Sequence, residues 1–303
     1  MPNWTREKLL TKVREVSVWT RGDQLAPHKP LLILYALGKL LAGQNQVLFK
    51  DFCEPFENLL REFGPPRKSY HPEFPFWYLR SEGFWEIEPA TGWTMRKGAS
   101  SPSKADLIGR GAIGRFVPAV QELLLNNPVI AEEVVSVVLN NHFPDSIHED
   151  ILEAIGLEQL QPAKPKRDSR FREEVLRAYA YRCAVCGFDL RLDNVPLALD
   201  AAHIRWHQAN GPSMVSNGLA LCSLHHKLFD RGAFSLSDTF KIEISGRVNG
   251  STGFVEHLAR FSSNSIMLPN LSAARPNPAY IRWHRTEVFH LPIADLIGVL
   301  RGP

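Results

Sequence analysis

The chain has 303 residues, enough for two domains, and 44% of them are hydrophobic and 22% charged, as in ordinary soluble globular proteins. No window approaches the roughly 18 uninterrupted apolar residues of a transmembrane helix. The N-terminal sequence MPNWTREKLL carries charges where a signal peptide needs an apolar core. We therefore expect a cytoplasmic protein with no membrane partner.

The net charge of +3 is unevenly distributed. Residues 1–115 carry 17 Lys and Arg against 12 Asp and Glu, a net charge of +5, and residues 161–303 carry 18 against 12, a net charge of +6. Residues 116–160 carry no Lys or Arg and 8 acidic residues. Basic blocks suit a polyanion, which the acidic block between them would repel.

The first half of the chain predicts helices followed by a hairpin. Helices are expected over residues 3–18, from Lys29-Pro30 to about Gly43, and over residues 51–63. The segment FPFWYLRSEGFWEIE (74–88) alternates as a β-hairpin does. This order predicts a winged-helix-like module, with the helically spaced residues 105–160 packed on it.

A short, basic, proline-containing stretch, QPAKPKRDSR, occupies residues 161–170 and indicates a linker. A new helix is expected directly after it. The sequence therefore predicts an α+β protein with one domain over residues 1–160 and a second over residues 171–303.

Three of the four cysteines lie within 40 residues of one another, which in a cytoplasmic chain favours metal over disulfides. Cys183-x2-Cys186 and Cys222-x2-His225 have the spacing of the two halves of a tetrahedral zinc site. Four protein ligands leave no open position, so this zinc would be structural. The alternative, unrelated buried cysteine pairs, explains the spacing less well.

Between the two cysteine pairs lie His203, Asn217 and His226, in the order His, Asn, His. The pattern AAHI…NGL.LC..HH..FD.G resembles the HNH endonucleases, and most of all their McrA-type branch. The segment NPAYIRWHRTEVF (277–289) resembles the terminal helix of that branch. The resemblance covers roughly residues 170–290 and implies a ββα-metal nuclease domain.

Phosphodiester hydrolysis needs an activated water and a cation that stabilises charge on the phosphate. We predict that His203 is the general base, because the imidazole pKa lies near working pH. His226 is predicted to bind a catalytic Mg²⁺ or Mn²⁺. Asn217 is predicted to brace the loop and to orient His203 or the metal. His225 and His226 can serve different sites, because neighbours on a helix point about 100° apart.

One position departs from the HNH pattern. Many HNH enzymes carry Asp directly before the base histidine as a metal ligand, whereas this chain has Ala202. The metal would then rely on His226, Asn217, phosphate oxygens and water, or on Asp200. Asp230 is expected to cap or brace the knuckle.

The segment RGDQLAPHKPLLILYAL followed by FPFWYLRSEGFWEI resembles the sulfur-binding domain of phosphorothioate-dependent restriction endonucleases. The resemblance covers residues 1 to about 160. It implies an apolar pocket for the sulfur that replaces a non-bridging phosphate oxygen, flanked by cations. The implied pocket residues are Phe74, Pro75 and Tyr78, and the implied DNA contacts are Arg21, Pro27, His28 and Lys29, with Arg80, Arg96 and Arg110 as weaker candidates. Tyr78 is bulkier than the small residue expected there.

Together these features predict a type IV-like restriction endonuclease that binds phosphorothioated double-stranded DNA and cuts it at a metal-dependent HNH site. Two alternatives stay open, namely an HNH endonuclease directed to methylated or unmodified DNA and a zinc-knuckle DNA-binding protein that does not cut. A homodimer is plausible, because cutting both strands needs two active sites or two events.

Overall fold

The structure is a computed structural model and describes residues 4–21, 24–93, 95, 98–160, 162–163 and 168–290. The chain divides into two compact units, residues 1–165 and 166–303. Much of the predicted linker 161–170 lies outside the described residues, so its limits stay predictions. Within the described ranges, no helix combines the length and the apolarity needed to cross a bilayer.

The first unit combines helices with two small sheets. Its helices are α1 (Arg6–Arg14), α2 (His28–Leu41), α3 (Phe49–Phe63), α4 (Glu73–Tyr78), α5 (Lys104–Gly109), α6 (Pro118–Asn126), α7 (Pro128–His142) and α8 (His148–Ala154). Its strands are β1 (Trp19–Arg21), β2 (Gln24–Ala26), β3 (Val47–Leu48), β4 (Trp85–Glu88) and β5 (Ile113–Phe116). Strands β1 and β2 form a hairpin, and the other three form an antiparallel sheet in the order β3-β5-β4.

Helix α2 is the centre of the first unit, because 10 of its 14 residues are buried. Helices α3, α4, α6 and α7 pack against it, and α1 packs against α7. The acidic helical region therefore packs on the first module, as predicted. Glycine is required at Gly38, because a side chain there would collide with the carbonyl oxygen of Ile155.

The hairpin predicted over residues 74–88 is wrong. Residues 74–78 lie in α4, a 3-10 turn Leu79–Glu82 follows, and only Trp85–Glu88 is a strand, paired with β5. Pro75 lies in the first turn of α4, where its missing N–H costs no hydrogen bond. Phe76 and Trp77 are buried, and alternation in so short an apolar run does not separate helix from strand. The α+β class itself is confirmed.

The second unit contains a ββα motif covered by helices. Its helices are α9 (Ser169–Ala178), α10 (Ser223–Asp230), α11 (Thr252–His257) and α12 (Pro278–Glu287). Its strands are β6 (Arg191–Leu192), β7 (Val195–Pro196), β8 (Leu199–His203), β9 (Gly218–Cys222), β10 (Phe234–Leu236) and β11 (Ile242–Ile244). Strands β8 and β9 are antiparallel, and α10 follows β9 directly. Helix α9 packs so closely on β9 that a side chain at Gly218 would collide with Val175.

Candidate nuclease centre and DNA-binding surface

The ligand atoms of Cys183, Cys186, Cys222 and His225 all lie within 4.8 Å of one another. The first two cysteines lie on the turn after α9, Cys222 ends β9, and His225 lies in the first turn of α10. Three thiols and one imidazole in one cluster form a donor set that suits a four-coordinate metal ion. These residues therefore could hold a metal with no position left open for substrate.

The ring of His225 is oriented as a metal ligand requires. Its Nδ1 lies 3.1 Å from Cys222 Sγ and 3.6 Å from Cys183 Sγ, whereas its Nε2 lies 2.9 Å from the carbonyl oxygen of His257. A carbonyl only accepts, so Nε2 carries the proton and the Nδ1 lone pair faces the thiols. Hydrogen bonds among the three thiols lower the pKa of Cys183 and raise the pKa of Cys222, because the neighbouring thiols share protons with one another.

His203 ends β8 and is held between an aromatic ring and a hydroxyl. Its ring stacks on Phe171, with centroids 4.0 Å apart and planes at 19°, and its Nε2 lies 3.3 Å from Ser213 Oγ. Burial, followed by the positive charge of His207, lowers the pKa of His203 to about 4. The imidazole is therefore neutral at neutral pH, the form in which it can accept a proton.

Asn217 is fully buried and bonds to the loop that follows His203. Its Oδ1 accepts from the Arg205 N–H at 2.9 Å, and its Nδ2 donates to the carbonyl oxygens of Arg205 and Pro212, both at 3.0 Å. This geometry fits the predicted bracing of the loop. It does not fit the predicted metal ligand, because the buried amide is directed at the backbone.

His226 and Asp230 meet on one face of α10, as residues four apart do. His226 Nε2 lies 3.1 Å from Asp230 Oδ2, and Trp206 Nε1 donates to Asp230 Oδ1 at 3.2 Å. Asp230 is only 3% exposed. The expectation that Asp230 only braces the knuckle missed this pairing, although the i, i+4 spacing of the two residues could have indicated it. His225, one residue earlier, faces the cysteines instead.

The other candidate ligand, Asp200, is engaged elsewhere. Its Oδ1 accepts from Arg172 Nε at 3.0 Å, and Arg172 also donates to the Leu199 carbonyl oxygen at 2.7 Å. In a strand, Asp200 points to the opposite face from His203. Ala202 is fully buried. His226 and Asp230 therefore remain the better pair for a catalytic cation.

The first unit places an exposed aromatic ring against His71, whose Nδ1 lies 3.0 Å from Glu73 Oε1. Phe74 is 44% exposed and stacks on His71, with ring centroids 5.0 Å apart. Burial, followed by the positive charges of Arg67 and His71, lowers the pKa of His28 to about 4. Sequence analysis did not single out Arg67 and His71. The sequence feature that could have indicated both residues is the basic, proline-containing loop FGPPRKSYHPEF, in which they lie.

The remaining predicted pocket residues lie close to Phe74. Pro75, the next residue of α4, is buried, and the Tyr78 ring centroid lies 6.4 Å from that of Phe74. The Tyr78 hydroxyl hydrogen-bonds to Ser100 Oγ at 2.5 Å. The guanidinium of Arg80 stacks 3.4 Å above the Trp77 ring.

Four further residues predicted to contact DNA are Lys29, Pro27, Arg21 and Arg96. Lys29 Nζ lies 2.5 Å from Glu82 Oε1 and 2.8 Å from Ser17 Oγ, which makes a partly buried ion pair, and its contact with DNA stays a prediction. Pro27 is buried and precedes α2. The side chain of Arg21 and the whole of Arg96 lie outside the described residues.

A ββα motif with this histidine constellation defines an HNH endonuclease domain, and residues 183–237 match the HNH endonuclease family. Residues 6–160 match the family described as ScoMcrA-like, DNA sulfur-binding domain. That match spans half of the chain, which therefore belongs to the ScoMcrA-like DNA sulfur-binding family. Both resemblances drawn from the sequence are confirmed.

Solved structures show weaker similarity. The sulfur-binding domain of SprMcrA complexed with phosphorothioated DNA is 20% identical over 53% of this chain and 100% of that one, with a TM-score of 0.45. The corresponding ScoMcrA complex is 21% identical over 50% and 96%, with a TM-score of 0.44. The modification dependent TagI restriction endonuclease is 27% identical over 42% and 40%, with a TM-score of 0.29. No curated protein matches the chain. The assignment rests on the two family matches.

Proposed function

We propose that this protein is a restriction endonuclease that binds phosphorothioated double-stranded DNA through residues 1–160 and hydrolyses phosphodiester bonds at the HNH site of residues 171–303. The observation that carries the proposal is the exposed Phe74 ring, which stacks on His71 and precedes the buried Pro75. Arg67 and His71 also lie close enough to His28 to add to the effect of burial, which lowers its pKa. The sulfur-binding domains of SprMcrA and ScoMcrA, which are complexed with phosphorothioated DNA, support the choice of cue.

An apolar surface beside cations suits a phosphorothioate better than a phosphate. Sulfur is larger, more polarisable and less strongly hydrated than oxygen, so it loses less solvation and gains more dispersion against aromatic carbon. The cations attract the backbone of either DNA. Such a pocket discriminates by about 1–3 kcal/mol, or roughly 10- to 100-fold.

In the nuclease domain, His203 would take a proton from water, and the resulting hydroxide oxygen would attack phosphorus. The bond from phosphorus to the leaving sugar oxygen then breaks, which gives a phosphate monoester and an alkoxide oxygen that takes a proton from solvent water to become a hydroxyl. A bound Mg²⁺ or Mn²⁺, held by His226 and Asp230, would supply positive charge for the developing phosphate charge. Zinc held by the three cysteines and His225 would stabilise the domain and take no part in cleavage. The homodimer stays a prediction.

A preference for phosphorothioated over unmodified DNA tests whether sulfur is the feature that this protein recognises. In a His203→Ala background that cannot cut, Phe74→Ser is expected to lower the ratio of affinities for phosphorothioated and unmodified duplex by about 10-fold, because a hydrated surface no longer favours the less hydrated atom. Weak, salt-sensitive binding should persist through the cations. Fluorescence anisotropy at one fixed salt concentration measures both affinities.

The matched control is Leu125→Ser, which changes an apolar side chain that is 50% exposed in the acidic region and should leave the ratio unchanged. Equal affinities of the parent protein for the two duplexes would contradict the proposal that it recognises sulfur. They would leave an HNH endonuclease that responds to another feature of DNA.

The role of Asp230 has its own test. Asp230→Asn keeps an acceptor for Trp206 Nε1 but removes the negative charge beside His226. We expect cleavage to fall by about 10- to 100-fold and the Mg²⁺ concentration for half-maximal rate to rise. Asp238→Asn, the same change at an exposed position paired with Arg285, should alter neither quantity. An unchanged Mg²⁺ dependence of the Asp230 variant would exclude it as a metal ligand.

A further inference from the structure

His71 covers one face of the exposed Phe74 ring. The two ring planes meet at 25° and their centroids lie 5.0 Å apart, so the rings are stacked. Phe74 is nevertheless 44% exposed, and the side chain of His71 is 47% exposed. The two rings therefore form one aromatic surface that solvent reaches, and a ligand approaches Phe74 from the side that His71 leaves open.

The His71 ring is itself held at both of its nitrogen atoms. Its Nδ1 lies 3.0 Å from Glu73 Oε1, and its Nε2 lies 3.0 Å from Ser69 Oγ. A carboxylate accepts, so Nδ1 carries a proton and donates it to Glu73. Contacts at both nitrogens fix the plane of the imidazole, and stacking restricts Phe74 to the same orientation.

Glu73 holds this ring at a position where its own carboxylate is unfavourable. The residue is the first of α4 and is only 9% exposed. Its Oε2 is buried and has no hydrogen-bond partner among the described residues. A buried carboxylate oxygen without a partner costs folding free energy, so an apolar residue would stabilise this position better. The hydrogen bond to His71 therefore indicates a role in placing the ring rather than in stabilising the unit.

We propose that His71, held by Glu73, is a positioning residue that fixes the Phe74 ring for contact with the sulfur of a phosphorothioate. This inference rests on the proposed recognition of sulfur by residues 1–160. An exposed ring that turns freely loses rotamer freedom when a ligand orders it, and that loss opposes binding, whereas a ring that is already fixed avoids it. The benefit falls on the sulfur duplex, because a strongly hydrated phosphate oxygen gains little from contact with aromatic carbon.

Two substitutions of His71 separate stacking from hydrogen bonding. In His71→Asn the amide nitrogen can donate to Glu73 as Nδ1 does, but no ring covers Phe74. His71→Phe keeps a ring against Phe74 and loses both hydrogen bonds and any charge on the imidazole. A role limited to stabilising the loop through Glu73 predicts that His71→Asn is the milder change. A role in positioning Phe74 predicts the reverse for the preference between the two duplexes.

We expect His71→Asn to lower the ratio of affinities for phosphorothioated and unmodified duplex by about fivefold, and His71→Phe to keep that ratio within about twofold of the parent. Fluorescence anisotropy at one fixed salt concentration measures both affinities in the full-length protein carrying His203→Ala. Thermal unfolding checks that each variant is folded. The matched control is Lys68→Ala, which removes an exposed cation of the same loop and should lower both affinities together, leaving the ratio unchanged.

The outcomes distinguish the positioning role from the proposed function. A parent protein that prefers the phosphorothioated duplex, with an unchanged ratio in His71→Asn, would overturn the positioning role and leave sulfur recognition intact. Equal losses of affinity for both duplexes in His71→Asn and His71→Phe would identify His71 as a cation that contacts the DNA backbone, which also overturns the proposal. A parent protein without any sulfur preference would contradict the proposed function itself, and this inference with it.

Discussion

Replacing His203 with alanine is expected to reduce single-turnover cleavage by about 10³-fold or more while the affinity for DNA changes by less than about threefold. General base catalysis contributes roughly 10²- to 10⁴-fold, and the alanine variant has no group in place of the ring to accept the proton. Residues 1–160 should still bind DNA. Rapid-quench cleavage with saturating protein measures the rate, and fluorescence anisotropy measures the affinity.

His207→Ala is the matched control, because His207 is an exposed histidine whose ring centroid lies 5.8 Å from that of His203. Its cleavage rate should stay within a few-fold of wild type. Because burial lowers the pKa of His203 to about 4, the base is active above that pH. Its contribution should be lost as pH falls through the same value. Near wild-type cleavage by His203→Ala would disprove the base assignment.

Replacing Cys183 with serine is expected to remove the zinc and unfold the second unit. Structural zinc contributes about 10–16 kcal/mol to the folding of small zinc domains. This contribution is at least as large as the net stability of an ordinary domain, which is roughly 5–15 kcal/mol. Zinc content by mass spectrometry should fall well below that of the parent protein. Hydrogen exchange should become fast across residues 168–290 and stay slow in α2.

The control for this experiment is Cys53→Ser, which changes a buried cysteine of α3 that belongs to the first unit. It should keep the full zinc content of the parent, whatever its effect on the stability of the first unit. A well-folded Cys183→Ser protein, or a well-folded parent without zinc, would contradict a structural zinc.

The sequence by itself was sufficient wherever the determining interactions are local. Cys183-x2-Cys186 and Cys222-x2-His225 each place two ligands on one turn. The spacing within each pair was therefore enough to predict that pair as one half of the metal cluster. The apolar run after Lys29 predicted α2, because a helix that is apolar all round must be buried. The helical spacing of the acidic region likewise predicted α6 and α7.

Only the tertiary structure decided which side chains meet across long separations. Lys29 pairs with Glu82, 53 residues away, an ion pair that no local pattern indicates. The segment that contains Phe74 became a helix because packing on α2, and not local alternation, determines how an apolar run is buried. Ser213 meets His203 for the same reason. The sequence contains these residues, but the free energy that brings them together comes from burial of the β8, β9 and α9 surfaces, which no local pattern encodes.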